Sequence, residues 1–159
     1  MLDLLAFSDE SKIWIYPADK ILADDFIPEI HHNIQAFSKT WASHGSNLKA
    51  TGGIMHNCLV VLCVDQTQAG ASGCSIDESV RFIKKLGEEY QIDFFNRMNF
   101  QYLENDILHM VKASDLAGYL ERGQINMETL FFDNLVDTKY KFIHGWLKPL
   151  KDSWHLKFI

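Results

Sequence analysis

Cysteine and proline are both scarce, with three of each in 159 residues. An odd and small cysteine count excludes a disulfide framework and points to a reducing compartment, so a cytoplasmic location is expected. Positive charge is also short: 15 Lys and Arg stand against 21 Asp and Glu, for a net charge of −6. Such a chain lacks the basic footprint that neutralises phosphates, so nucleic acid is not an expected partner. No apolar run reaches the ~18 residues of a membrane span, and a membrane is not expected either. The opening Met1-Leu-Asp-Leu-Leu-Ala-Phe-Ser8 carries no positive leader segment.

Several chemical signatures are missing as well. There is no Gly-x-x-x-x-Gly-Lys-Ser/Thr phosphate loop and no Gly-x-Ser-x-Gly elbow. Seven histidines occur without His-Glu-x-x-His, His-x-His or Cys-x-x-Cys spacing. His31 and His32 are neighbours on a helix, about 100° apart, and cannot easily face one ion. No metal and no cofactor is expected.

What the chain has is apolar and aromatic mass: 47% apolar residues, 13% aromatic, 11 Phe and four Trp. That balance, at this length, predicts one α+β domain over residues 1–159 with its own core. Ile13 to Tyr16 reads as a strand stopped at Pro17. Phe26, Ile30, Ile34, Phe37 and Trp41 form a helical stripe that Asp24 and Asp25 open, with Pro28 in the first turn. Ser43 to Asn47 is a turn cluster, and residues 48–57 a Gly-containing strand. Cys58 to Val64 is apolar on both parities and so reads as a central strand covered on both faces. A second helix carries Ile76, Val80, Ile83, Gly87 and Tyr90, with Ser75 as N-cap and Glu78 three residues on. Phe100 to Leu103 is a fourth strand, and Ser114 caps a short helix that ends at Gly123. Phe131 to Leu147 is ambiguous between helix and strand, and Trp154 to Phe158 alternates as a strand does.

The order β-α-β-β-α-β predicts a ferredoxin-like sheet with strands one and three in the middle. A C-terminal helical and strand segment, or a second copy in a homodimer, would cover its other face. In that topology one sheet edge gathers His44, Asp65, the 70–77 loop and Glu104 to Asp106. Gly70-Ala-Ser-Gly-Cys-Ser-Ile-Asp77 feeds small residues into a helix start, where free N–H groups can hold an anion or activate a thiol. Two site readings follow. In the first, Ser72, Gly73, Ser75 and Asp65 line a site for a small anionic ligand. In the second, Cys74 is a nucleophile, His44 its base and Asp77, Asp65 or Asp106 the group that orients the imidazole. The bland alternatives are a buried Cys74, Ser75, Asp77 and Glu78 that only cap and charge the helix, and a His44 that serves as a helix C-terminal cation. Cys58 and Cys63, five apart, are core residues that cannot bridge. Trp14 and Tyr16 suit core packing better than base stacking. Trp146 to Pro149 and Ser153-Trp154-His155 either line a pocket or close the core.

Ile13-Trp-Ile-Tyr-Pro17, Trp41-Ala-Ser-His-Gly45, Ser72-Gly-Cys-Ser-Ile-Asp77 and Ser153-Trp-His155 together resemble a small family of uncharacterised bacterial proteins, some of them labelled ABC-transporter ATPases. The resemblance spans nearly the whole chain. The label implies ATP hydrolysis, but the phosphate loop with its Lys and the Leu-Ser-Gly-Gly-Gln signature are both missing, so ATPase activity is not supported. The resemblance implies that His44, Gly73, Cys74, Ser75 and Asp77 belong to family motifs and says nothing of their roles. The leading expectation is a small-anion-binding or protein-interaction module, then a structural subunit, then a cysteine-dependent enzyme.

Overall fold

The computed structural model describes residues 2–67 and 69–159 as a mixed α and β fold built on small antiparallel sheets. The first sheet has the order β1-β5-β4, with β1 at Lys12–Pro17, β4 at Lys49–Met55 and β5 at Leu59–Asp65. Every residue of β5 is buried, as its apolar run on both parities requires. The minor pair β2 (Ala42–Ser43) and β3 (Ser46–Asn47) is a hairpin.

Two helices lie on one face of the first sheet: α1 at Ile27–Thr40, entered through a 3-10 turn at Asp24–Phe26, and α2 at Gly73–Tyr90. Phe37 of α1 stacks on Phe82 of α2 with ring centroids 4.3 Å apart. Trp41 packs 5.7 Å from Trp14 of β1 and donates its indole N–H to Ser75 O at 2.8 Å. Close approach of α1 to β4 needs Gly52, where a Cβ would stand 2.8 Å from Leu62 Cδ2 and 2.9 Å from Ile34 Cγ2. Gly87 serves the end of α2: its carbonyl accepts from both Gln91 N and Ile92 N, Gln91 is left-handed at φ 56°, and a Cβ on Gly87 would run into the Ile92 carbonyl.

The second sheet has the order β7-β6-β8-β9, from β6 (Asn99–Glu104), β7 (Ile107–Lys112), β8 (Leu130–Phe132) and β9 (Leu147–Pro149). Its register puts Phe100, Tyr102, Val111 and Phe131 on one face, where they form a core with Leu116 and Leu150. Leu103, Leu108 and Met110 share the other face and join the first core, along with Phe132, Phe142 and Trp146. The second sheet and α4 (Lys139–Gly145) therefore contribute to the core of the first sheet.

The four-stranded ferredoxin-like sheet does not form. Its first three strands take the expected order, but the fourth, β6, joins the second sheet. The physical reason is local pairing. Asn105 and Asp106, at φ 53° and 61°, make a two-residue turn that folds β6 directly onto β7. The open edge of β1 is occupied instead by residues 137–138, which bond Ile13 N and bridge Lys12, and by Arg97, which bonds Ile15 O at 3.1 Å.

Three smaller expectations also change. The cap of α2 is Ser72 rather than Ser75: Ser72 Oγ accepts from Ser75 N while Ser75 Oγ accepts from Ser72 N, so the reciprocal box sits one turn earlier. Ser114 lies inside a 3-10 turn at Ala113–Asp115 that leads into α3 (Leu116–Glu121) without a side-chain cap. The tail is not a strand. Trp154–Phe158 forms consecutive 3-10 turns because Ser153 Oγ accepts from His155 N and closes the first one.

Candidate functional site

The residues singled out in the sequence spread over three places. Cys74 is exposed at the second residue of α2, and Gly73 beside it faces open space. Ser72 and Ser75 are occupied with each other in the cap, and Ser75 is buried. Asp77 is exposed on the same helix. His44 is not at a helix end. It sits with Gly45 at the tip of the β2–β3 hairpin, at φ 51° and exposed, and β2 packs against α2. No hydrogen bond among the described residues joins Cys74 to His44 or Asp77.

Asp65 is buried and fully engaged elsewhere. Its carboxylate accepts from Ser8 N and Thr67 N at 3.0 Å each and pairs with Lys49 at 3.3 Å. These backbone N–H groups, with Lys49, hold it well below the usual carboxylate range. It ties the N-terminal segment to the end of β5, with both oxygens engaged there. Glu104 to Asp106 form the β6–β7 turn of the second sheet. Cys58 and Cys63 are fully buried, and burial pushes both thiols up to about 12.

A second constellation lies where the end of the first sheet meets the second. Pro17, Arg97, Asn99, Gln101, Asn134 and His155 enclose, with Phe100, Leu135 and Trp154, a cavity of about 20 Å³. That is room for about one water molecule. The cavity sits among polar groups that are themselves buried: Gln101 and His155 are each 1% exposed.

His155 is held by rings and by one hydroxyl. It stacks on Trp154 at 4.0 Å and meets the edges of Phe100 at 4.5 Å. Ser153 Oγ is hydrogen-bonded to its Nδ1 and also accepts from its backbone N at 3.4 Å. Where the hydroxyl donates to Nδ1, the ring's own proton sits on Nε2. Nε2 makes no hydrogen bond among the described residues, and it is not one of the fully enclosed unpartnered atoms. Burial pushes the His155 pKa down to about 4, with nearby Asp133 raising it and Lys148 lowering it, so the ring is neutral at pH 7.

The amides beside it have a fixed orientation. Trp146 Nε1 can only donate, and it does so to Asn134 Oδ1 at 2.9 Å. Asn134 Nδ2 then donates to Gln101 Oε1 at 2.8 Å, and Gln101 Nε2 to the Asn99 carbonyl at 3.0 Å. A donor-only group at one end and an acceptor-only group at the other leave no freedom to flip either amide. Each amide nitrogen keeps one further N–H. Arg97 uses one nitrogen on Ile15 O and forms no ion pair among the described residues. The neighbouring negative charge is neutralised: Asp133 accepts from Trp154 Nε1 at 2.9 Å and pairs with Lys148 at 2.7 Å.

The cavity wall is thus rich in donors and carries one uncompensated cation. Such a wall suits an anion or a strong acceptor. The described residues hold no cluster of three or more His, Cys, Asp and Glu that could bind a metal. No described helix is long and apolar enough to cross a membrane. No family model, curated protein or solved structure matches the chain.

Sequence reasoning named Trp154 and His155 as residues that line a pocket or close the core, and they do both. It missed Arg97, Gln101 and Asn134. A signal for Gln101 was present: one amide between Phe100 and Tyr102 in an apolar strand implies a buried partner network. Arg97 carried none, because its place at the cavity depends on the turn between α2 and β6.

Proposed function

We propose that the chain is a binding module for a small anionic ligand, and that the seam cavity, rather than the start of α2, is its site. The observation that carries the reading is His155: a buried imidazole whose Nδ1 is satisfied by Ser153 and whose Nε2 is left without a partner at a cavity that Arg97 also lines. His155 Nε2 has no hydrogen-bond partner among the described residues, and Arg97, an exposed residue of the same cavity, has no ion pair among them, so both keep capacity for an acceptor from outside. The bound group would be positioned by donors that are already rigid, which lowers the ordering cost of binding. The free N–H groups at Gly73 and Cys74 are open to solvent and have no buried partner converging on them.

Thermal unfolding in a series of small anions, at constant ionic strength with chloride as reference, tests the reading. A ligand present at 100 times its dissociation constant adds about 2.7 kcal/mol of stability. The expected result is a concentration-dependent rise in Tm for at least one anion, lost in Arg97→Gln. No rise beyond chloride for any of them would contradict it.

A second reading keeps Cys74 as a nucleophile with His44 as base and Asp77 as the orienting group. Its support is the exposure of Cys74 at a helix start and the packing of the His44 hairpin against that helix. Rapid, pH-dependent alkylation of Cys74 that His44→Ala slows would favour it.

A further inference from the structure

We propose that β7 is an interaction surface and that its partner is a second copy of this chain, paired antiparallel along that edge about a twofold axis. Backbone N–H and C=O groups along a sheet edge invite another strand, and folds ordinarily block them. The other long edges here are met by chain or side chains. Residues 137–138 and Arg97 occupy β1. On β4, the Gln35 side-chain amide donates to the Gly52 carbonyl and to Thr51 Oγ1. The outer strand β9 has three residues and ends in Pro149. At the opposite edge of that sheet, β7 has six residues, no Gly or Pro, and no strand partner but β6 among the described residues. Its first residue, Ile107, is 60% exposed.

The turn sets which backbone groups are free. Glu104 stands opposite Ile107 across a two-residue turn, so Ile107, His109 and Val111 bond to β6. Ala113 N, which donates to Met98 O at 2.8 Å, continues that parity. The N–H and C=O groups of Leu108, Met110 and Lys112 therefore point away from the sheet, and none of them bonds another segment among the described residues. A strand that pairs with its own copy about a twofold must set residues of equal parity opposite each other. The run Asp106-Ile-Leu-His-Met-Val-Lys112 is self-complementary when His109 faces its own mate. Leu108 then stands opposite Met110, with their outward groups bonded to each other, and Ile107 stands opposite Val111. Asp106 and Lys112, both exposed, meet at each end, acid against base. Centring the pair on Met110 would instead set Lys112 against Leu108. The apolar pairs and the paired charges at the ends select a second copy as the occupant.

Sedimentation velocity of the full chain from micromolar to millimolar concentration is the test. The mass is expected to rise from 18.3 kDa towards twice that value, and Ile107→Lys to weaken the association by about tenfold or more. Ile107 is largely exposed in the single chain, so this variant keeps the fold, which its thermal unfolding at micromolar concentration checks. The register has its own readout. In a Cys74→Ser background, which removes the exposed thiol, His109→Cys sets two thiols opposite each other at a closely spaced pair, where a disulfide can close. A disulfide-linked dimer is expected with oxidised glutathione, and none from Cys74→Ser alone. A mass that stays at 18.3 kDa, or a dimer that Ile107→Lys leaves unchanged, overturns the proposal. So does an assembly larger than a dimer, because twofold pairing closes on itself. A dimer that Ile107→Lys weakens but His109→Cys does not cross-link overturns the register.

Discussion

Ser153 holds the ring of His155 through a single hydroxyl. Its oxygen accepts from the His155 backbone N–H at 3.4 Å and is hydrogen-bonded to the ring Nδ1; on the proposed reading the hydroxyl proton serves Nδ1 and Nε2 keeps its own. A short-range contact within one 3-10 turn thereby fixes a buried ring at the seam of two sheets. Ser153→Ala is expected to free Nδ1, allow the other tautomer and weaken anion binding, with the fold retained. Binding unchanged in Ser153→Ala would contradict this positioning role.

His155 also links stability to pH. Its pKa falls from 6.5 to about 4 on folding because the ring is buried. Between those values the unfolded chain binds a proton that the folded chain does not, so stability rises with pH across that window and is lost as pH falls from 6.5 towards 4. The full difference is worth roughly 3 kcal/mol. His31 and His56 are shifted in the same direction by burial. Urea unfolding at a series of pH values should therefore show a slope from all three, and His155→Gln should remove the steepest part. An unchanged slope in that variant would sink the assignment.

The three thiols are expected to react in two classes. Cys74 is exposed, whereas Cys58 and Cys63 are fully buried with their thiols pushed up to about 12. Alkylation at pH 8 with site assignment by mass spectrometry should label Cys74 alone in the folded protein and all three after denaturation. Native labelling of Cys63 would mean that β5 is not central.

Ser72→Ala removes the side-chain half of the α2 capping box and should cost about 1 kcal/mol in denaturant unfolding. Ser75→Ala removes the reciprocal acceptor for Ser72 N. Glu78→Ala should be close to neutral, since Glu78 lies beyond the box. If Glu78→Ala cost more than Ser72→Ala, the helix would begin one turn later than described.

Gly52→Ala places a methyl group 2.8 Å from Leu62 Cδ2 and 2.9 Å from Ile34 Cγ2. Both neighbours are fully buried and have little room to yield. Overpacking of this kind typically costs about 1–3 kcal/mol. Gly45→Ala, which meets nothing within 4 Å but holds φ at 79°, tests backbone strain separately from packing.

The local signals in the sequence were strong where one element depends on its own residues. The stripe from Ile30 to Trp41 and the doubly apolar run to Val64 translate directly into α1 and β5, since burial there is set by period alone. The order of the first three strands followed from the same elements. The fourth strand was misplaced because a choice between two sheets is decided by a two-residue turn at Asn105-Asp106 and by what occupies the edge of β1. Both are long-range outcomes for Phe100 to Leu103. The cap of α2 was misplaced by one turn because Ser72 and Ser75 are both acceptable caps, and only the reciprocal bond between them selects the first. The seam cavity was half legible. Trp154 and His155 stood out as aromatic residues in a polar tail, while Gln101, Asn134 and Arg97 meet them only after two sheets have packed.

The central claim is that His155 presents a neutral Nε2–H to the seam cavity. Long-range nitrogen-15 correlation spectra of the histidine rings at pH 7 test it most directly, because the two ring nitrogens report protonation separately. The account requires His155 to be neutral with its proton on Nε2, and that signal to move when a small anion that raises the Tm is added. A proton on Nδ1, or an imidazolium at pH 7, would contradict it.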